Sequence, residues 1–327
     1  MINAFGLNSF GQTIPSGGNG EWPADITRVL YCTWESSFGI NEKGDLVVWG
    51  YNPQTGSLTS GAVPFHNVRA TDLAKVYGDP NSTIGLLLSD GSVYHYSGSG
   101  SVEPVLVASD CKDVACMAGS QTVILIKNNG EVYHAPLNGR ETPIKMDMPA
   151  VQGAEASFYH AILHCSSPFA VYGMGSNRFG QLGSPESPEP LQTIPVAFFD
   201  GLTPTQFQIS CGTFHTAFVL DGDVYICGLG THRSAGNQDD DQGYPVLAEF
   251  QDKDGNECDV NIVKVACGGK HIIAIDDQGG AWGVGSNKYG QLPKGNNGLE
   301  LNPIFHRLEL NAVDCWAGPQ NSFLQIK

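Results

Sequence analysis

IVKVACGGKHIIAIDDQGGAWGVGSNKYGQLP, residues 262–293, contains the pattern that organises the whole chain. A run of alternating apolar and polar residues is followed by Cys-Gly-x-x-His and a second run, which is apolar. Two adjacent glycines separate this second run from a third. Short apolar runs joined by glycine turns are typical of antiparallel strands. An Asn-x-x-Gly-Gln-Leu loop follows the third run. The stretch therefore predicts one small meander of β-strands.

The same pattern recurs along the chain. Gln206–Gly236 carries QISCGTFHTAFVLDGDVYICGLG, Ala154–Gly183 carries SFYHAIL and VYGMGSNRFGQLG, and Thr27–Leu58 is a looser copy. Two further copies, Val76–Gly98 and Val114–Pro136, are degraded. Self-similarity at this spacing indicates a repeat architecture in which each copy is one structural unit.

The two ends of the chain supply half a copy each. Val313–Lys327 matches the first half, and Asn3–Gln12 matches the second half. The last residues of the equivalent strands are 6, 50, 97, 136, 175, 228 and 285. These observations predict an all-β fold, a seven-bladed β-propeller closed by pairing the N-terminal strand with the C-terminal blade. Residues 1–327 then form one domain, with blades that start near 27, 71, 112, 154, 206, 262 and 313 and a last blade completed by 1–12.

Composition narrows the classes of partner. Seventeen Lys and Arg against 33 Asp and Glu give a formal charge of −16, and no basic run is present. A binder of phosphate backbones or of anionic membrane surfaces needs clustered cations, so we expect neither nucleic acid nor a membrane as a direct ligand. Nine cysteines without a Cys-x-x-Cys pair favour reduced thiols. We expect a cytoplasmic protein, with the nucleus as a second compartment.

The repeat resembles that of the regulator of chromosome condensation family. Gly173–Gly183 (GMGSNRFGQLG) and Cys211–Thr216 (CGTFHT) match the family's repeat almost letter for letter, and the resemblance covers essentially the whole chain. A lone propeller whose third and fourth repeats are degraded resembles one branch of that family, whose members are single propellers. That resemblance implies a heterodimer with the small zinc-binding protein of diphthamide synthesis. It also implies a role in diphthamide formation on elongation factor 2 and in Elongator-dependent tRNA wobble-uridine modification.

The family resemblance leaves other functions open. The leading interpretation is a non-enzymatic interaction scaffold without cofactors. One alternative is a guanine-nucleotide exchange factor or regulator for a small GTPase, and another is a propeller that accompanies a chromatin-associated hydroxylase. A catalytic propeller would need convergent polar residues in its channel, and the sequence identifies none. We therefore expect no catalytic residues.

Two sets of repeated residues are expected to be structural. Repeat symmetry places the three histidines on separate blades, so they cannot converge on one metal ion, and no metal site is expected. In the loops, Asn caps its own turn and Gly adopts positive φ. The structural set comprises His160, His215, His271, Asn177, Gly180, Asn287 and Gly290.

The loop just before each repeat histidine is the candidate partner-binding site. Its residues are Trp34–Glu35, Tyr159, Phe214, Lys270 and Pro319. Equivalent loops of a propeller emerge on one face, so we expect Trp34, Tyr159 and Phe214 to share that face. Either each aromatic ring packs on its own blade, or the rings form an exposed cluster that anchors a partner, since interface hot spots favour Trp and Tyr.

Overall fold

The protein is described by a computed structural model that covers residues 1–13, 25–97, 103–229, 243–293 and 301–326. Within these residues the regular structure is β-strand, apart from three short 3-10 turns at Ala70–Asp72, Ala118–Ser120 and Ala197–Phe199. The all-β class is confirmed. The described part of the chain contains no helix long and apolar enough to cross a membrane.

The chain divides into two compact units. The amino-terminal unit holds Ile2 and Asn8–Phe158, and the carboxyl-terminal unit holds Met1, Asn3–Leu7 and Tyr159–Lys327. The chain opens with strand β1 (Ile2–Gly6).

The amino-terminal unit consists of antiparallel meanders. The strands of the first are β2 (Ile26–Cys32), β3 (Ser36–Asn41), β4 (Asp45–Asn52), β5 (Ser57–Leu58) and β6 (Val63–Arg69), where both β5 and β6 pair with β4. The second holds β7 (Leu73–Asp79), β8 (Thr83–Leu88), β9 (Val93–Ser97) and β10 (Val105–Ala108) in that order. The third holds β11 (Cys111–Met117), β12 (Thr122–Lys127), β13 (Val132–Pro136) and β14 (Ile144–Lys145), and β15 (Gly153–Ala156) follows.

The carboxyl-terminal unit repeats the arrangement. Its first strands are β16 (His160–Ser166), β17 (Phe169–Gly175) and β18 (Thr193–Pro195), and the next sheet is β19 (Phe207–Cys211), β20 (His215–Leu220), β21 (Asp223–Gly228) and β22 (Val246–Leu247). The last sheet holds β23 (Phe250–Gln251), β24 (Ile262–Cys267), β25 (His271–Asp276), β26 (Gly280–Ser286), β27 (Leu301–Gly318) and β28 (Asn321–Ile326), with β1 beside β28. Strand β27 is continuous, and it exchanges partner β26 for β28 between Asn311 and Ala312.

Apolar cores lie between successive sheets and hold the loops in place. In the carboxyl-terminal unit, Ala217 of β20, Val265 of β24 and Trp282 of β26 belong to one buried cluster. In the amino-terminal unit, Phe38 and Phe65 pack edge to face with ring centroids 5.3 Å apart. Burial on both faces explains why many strands read as continuous apolar runs rather than alternating ones.

Candidate functional site

The loop before each repeat strand is fixed by one recurring backbone hydrogen bond. The amides of Tyr51, Ser176, Leu229, Ser286 and Leu7 donate to the carbonyls of Glu35, Tyr159, Phe214, Lys270 and Gln320, at 2.7 to 2.9 Å. Each donor directly follows a glycine with positive φ, and these glycines are Gly50, Gly175, Gly228, Gly285 and Gly6. The bond therefore defines which positions of the repeats are equivalent.

This equivalence refines the expected set. In the pair Trp34–Glu35 the carbonyl that accepts the bond is that of Glu35, and in the last copy it is that of Gln320 rather than Pro319. The degraded copy Val114–Pro136 keeps the bond, from Leu137 to the Gln121 carbonyl at 2.7 Å, although Pro136 replaces the glycine there. The sequence could not separate neighbouring residues of a loop, because only the hydrogen bond distinguishes them.

Gly228→Ala is expected to lower the free energy of unfolding by roughly 2–4 kcal/mol. A Cβ at Gly228 would lie 2.3 Å from the Phe214 carbonyl oxygen, in addition to the strain of φ +103°. The matched control is Gly201→Ala, where φ is +77° but no atom lies within 4 Å of the added Cβ, so about 1 kcal/mol is expected. Urea unfolding measures both, and equal losses would contradict the steric argument.

The Asn-x-x-Gly-Gln loops are built alike in three copies. The Oδ1 atoms of Asn8, Asn177 and Asn287 accept from the amides of Thr13, Leu182 and Leu292 at 2.8, 2.9 and 2.8 Å. The glycines in these loops, Gly11, Gly180 and Gly290, have φ values of 77°, 74° and 72°. These contacts are those of a self-capped turn, so the side chains serve the loop itself.

The three repeat histidines are buried. The His160 Nε2 donates to the Thr216 hydroxyl at 2.7 Å, since that hydroxyl donates in turn to the Gln181 carbonyl at 2.7 Å. Nε2 of His271 lies 2.7 Å from Oγ of Ser322. His215 packs against Gly212, where a Cβ would lie 2.3 Å from the imidazole. The Gly of Cys-Gly-x-x-His therefore makes room for the ring.

Burial lowers the pKa of these imidazoles. The pKa falls to about 3 for His160, about 4 for His215 and about 3 for His271, because burial removes water from the charged form. Over the described ranges, no group of three or more His, Cys, Asp or Glu residues is placed to hold a metal ion. Burial likewise raises the pKa of the Cys267 and Cys315 thiols to about 12, which leaves them unreactive.

Two of the expected partner-binding aromatics do meet. The rings of Tyr159 and Phe214 stack with centroids 4.9 Å apart and an angle of 11° between their planes. Phe179 meets Phe214 edge to face at 5.1 Å, and the Arg178 guanidinium lies 5.4 Å from the centroid of the Phe179 ring. Tyr159 is 41% exposed and Phe214 is half-buried. We call Tyr159, Phe179 and Phe214 the aromatic cluster.

The other expected residues are not members of the aromatic cluster. Trp34 and Glu35 belong to the amino-terminal unit, where Trp34 is 49% exposed and its carbonyl accepts from the Gln12 side chain at 3.0 Å. The Glu35 carboxylate accepts from the Asn81 side chain at 3.1 Å. Lys270 is exposed in the carboxyl-terminal unit.

Sequence reasoning missed Phe179 and Arg178. Both lie inside the Asn-x-aromatic-Gly-Gln loop, which was interpreted only as a turn. The aromatic letter of that motif was the available signal, because the same position holds Phe179, Tyr289 and Phe10 in three copies.

Comparisons with known proteins give one consistent similarity. A family model described as regulator of chromosome condensation (RCC1) repeat matches residues 170–219 and 221–275, and a second model with that description matches residues 262–291. The ultraviolet-B receptor UVR8 of Arabidopsis thaliana is 26% identical over 179 residues, which cover 54% of this chain and 39% of the receptor. The human RCC1-like G exchanging factor-like protein is 30% identical over 138 residues, 40% of this chain and 28% of that protein. The chain thus matches well under half the length of these relatives.

A solved structure resembles the whole chain in fold. The crystal structure of Prp20p from Saccharomyces cerevisiae, described with its binding properties to Gsp1p and histones, has a TM-score of 0.74 and 16% identity. The alignment covers 99% of this chain and 90% of that one. At this identity the likeness shows the fold alone.

Proposed function

We propose that this chain, which carries the repeats of the regulator of chromosome condensation family, is a non-catalytic regulator of a small GTPase. The observation that carries the proposal is the half-exposed aromatic cluster on loops fixed by backbone hydrogen bonds. A contact surface of this kind binds a protein and offers no group for covalent chemistry.

The physical case rests on preorganisation. The carbonyls of Tyr159 and Phe214 are held by the amides of Ser176 and Leu229, so the loops lose little freedom when a partner binds. Stacked aromatic rings offer a large contact area with few rotatable bonds. Such rings are the usual anchors of protein interfaces.

The choice of partner class follows the similar proteins. One relative is named a G exchanging factor-like protein, and this favours the GTPase alternative over the diphthamide scaffold that the sequence first suggested. The similar proteins described above do not support a heterodimer with the zinc-binding protein of diphthamide synthesis. They also do not support a specific similarity to the single-propeller branch that forms this heterodimer. A role beside a chromatin-associated hydroxylase stays a prediction.

We also propose that the sheets are blades of a seven-bladed ring. The pairing of β1 with β28 supports the part of this proposal that concerns the two chain ends. Four strands end at Ser97, Pro136, Gly175 and Gly228, which are the last residues that the sequence predicted for the equivalent strands. Cytoplasmic and nuclear localisation remain part of the proposal.

A nucleotide-release assay tests the function. A panel of small GTPases loaded with fluorescent GDP is mixed with the chain, and release should accelerate for at least one member. Tyr159→Ala combined with Phe214→Ala should weaken binding of that GTPase about thirtyfold, since truncating interface anchors typically costs about 2 kcal/mol or more.

The matched control is Tyr244→Ala, because Tyr244 is also 41% exposed in the same unit and lies outside the cluster. Trp34→Ala is measured separately as the anchor candidate of the other unit. Undiminished binding by the double variant would place the interface elsewhere. No acceleration with any GTPase, together with binding to the diphthamide zinc protein, would restore the first interpretation.

A further inference from the structure

The motif loops of the carboxyl-terminal unit form one end of its sheets. His160 pairs with Gly175, His215 with Gly228 and His271 with Gly285, so each histidine loop lies beside the end of the third strand of its own sheet. Neighbouring loops touch, as the Gly269 amide donates to the Pro319 carbonyl at 3.0 Å. We call this the motif-loop end, and it includes the aromatic cluster.

This end carries three cations at two repeated positions. Lys270 occupies the position of Tyr159 and Phe214, and Lys288–Tyr289 repeats the pair Arg178–Phe179. The Lys288 ammonium lies 5.5 Å from the centroid of the Tyr289 ring, much as Arg178 lies beside Phe179. Arg178, Lys270 and Lys288 are all exposed.

These three cations are not used by the fold within the described residues. Lys264 of the same unit forms an ion pair with Asp314, and Arg307 donates to three backbone carbonyls of the unit. No ion pair between described residues involves Arg178, Lys270 or Lys288. Among the described residues, these three charges are therefore unpaired.

Acidic residues are absent from the described motif loops. Segments 175–183, 212–215, 268–271, 285–293 and 318–321 contain the three cations and no Asp or Glu. The hairpin turns at the opposite ends of the strands hold Asp221, Asp223 and Asp277, all exposed. His215 and Leu220 are five residue steps apart along the strand, which is roughly 17 Å at 3.4 Å per residue. Glu186 is the acidic residue nearest in the chain, and its carbonyl accepts from Asn177.

We propose that the motif-loop end docks a carboxylate-rich protein segment that also carries an aromatic or aliphatic residue. Arg178, Lys270 and Lys288 pair with its carboxylates, and the aromatic cluster receives its apolar residue. Because the chain as a whole has a charge of −16, an acidic partner is repelled elsewhere and is oriented toward this end. The inference rests on the proposed protein-binding function and specifies the chemistry of the partner.

The test uses two fluorescein-labelled probe peptides and fluorescence anisotropy. One peptide consists of Asp and Glu around two Leu and one Phe, and the other replaces each acid by Lys. The acidic peptide should bind saturably, and its affinity should fall several-fold between 50 and 200 mM NaCl because salt screens exposed charges. Binding of the basic peptide with equal strength and the same salt dependence would overturn the proposal.

Charge reversal locates the site. The triple variant Arg178→Glu, Lys270→Glu and Lys288→Glu should lower affinity for the acidic peptide at least tenfold. The matched triple Lys43→Glu, Arg140→Glu and Lys253→Glu has the same net charge, reverses exposed cations elsewhere, and should bind nearly as wild type. Circular dichroism checks that both variants fold. Equal losses in the two triples, or no binding of the acidic peptide at all, would overturn the inference.

The outcome is separable from that of the proposed function. Peptide binding that depends on the three cations, without release of nucleotide from any GTPase, would contradict the proposed function and support the docking surface. Full nucleotide release by the charge-reversed triple variant would contradict the docking surface and support the proposed function.

Discussion

Acidification from pH 8 to pH 5 should lower the free energy of unfolding by about 2 kcal/mol for each of the three buried repeat histidines. His160, His215 and His271 are each less than 5% exposed, and burial lowers their pKa to about 3, 4 and 3. In the unfolded chain they titrate near 6.5. The combined loss of about 6 kcal/mol rivals the whole stability of many domains.

The sign follows from proton binding. Below pH 6.5 the three histidines bind protons in the unfolded chain, whereas in the folded chain they stay neutral. The free energy of unfolding therefore decreases as the pH decreases. The stabilising difference is complete above pH 6.5 and is lost progressively as the pH falls toward the folded pKa values. Hydrogen bonds lower the pKa of the carboxyl groups of Asp221, Asp252 and Asp277, so these groups stay ionised in the folded chain between pH 5 and pH 8.

Urea unfolding at pH 5, 6, 7 and 8 measures the effect. His271→Asn is the matched variant, because Asn321 naturally occupies the equivalent position at the start of β28. It should reduce the slope by up to about 1.4 kcal/mol per pH unit, the contribution of one proton. A stability that is constant between pH 5 and 7, or an unchanged slope in the variant, would show that the imidazoles are not held neutral by burial.

Deletion of residues 1–12 should destabilise both units instead of only fraying one end. In the carboxyl-terminal unit, β1 lies beside β28, with the Leu7 amide donating to the Gln320 carbonyl at 2.9 Å and the Ile326 amide to the Met1 carbonyl at 2.8 Å. Loss of β1 leaves β28 as an open strand edge, which favours aggregation.

The same deletion removes buried partners in the amino-terminal unit. The Gln12 carbonyl accepts from the Trp49 indole at 2.9 Å and from the Ser37 hydroxyl at 2.7 Å, and both donors are buried. A buried donor deprived of its acceptor costs about 1–3 kcal/mol. Differential scanning calorimetry should show a large fall in Tm, and a synthetic peptide of residues 1–12 added in trans should restore part of it. A truncated protein that melts within about two degrees of the intact chain would refute this role of the N-terminal segment.

The positions of the strands could be predicted because their signals are local. The strands Val132–Pro136 and Asp223–Gly228 end at the residues that the repeat predicted, because apolar runs and glycine turns determine strand ends within a few residues. The continuity of β27 from Leu301 to Gly318, across the blade start expected near 313, could not be predicted in this way. Strand continuity depends on which partner strand is present, and that information is not local.

The candidate site was only partly predictable. Tyr159 and Phe214 were identified from repeat positions, and their stacking at 4.9 Å is consistent with that choice. Phe179 was missed, because its loop joins the cluster through a contact between residues 35 positions apart in the chain. Of the predicted pair Trp34–Glu35, the carbonyl of Glu35 accepts the recurring hydrogen bond from the amide of Tyr51.

The sequence by itself determined the all-β class, the repeat and its turns, because these depend on hydrophobic periodicity and on glycine positions within short segments. Only the tertiary structure decided which loop residues meet. The stacking of Tyr159 on Phe214, the edge contact of Phe179 with Phe214 and the hydrogen bond from His160 to Thr216 all join separate repeats. Such contacts depend on how sheets pack against one another, and that packing is set by side-chain volumes summed over a whole core rather than by any one motif.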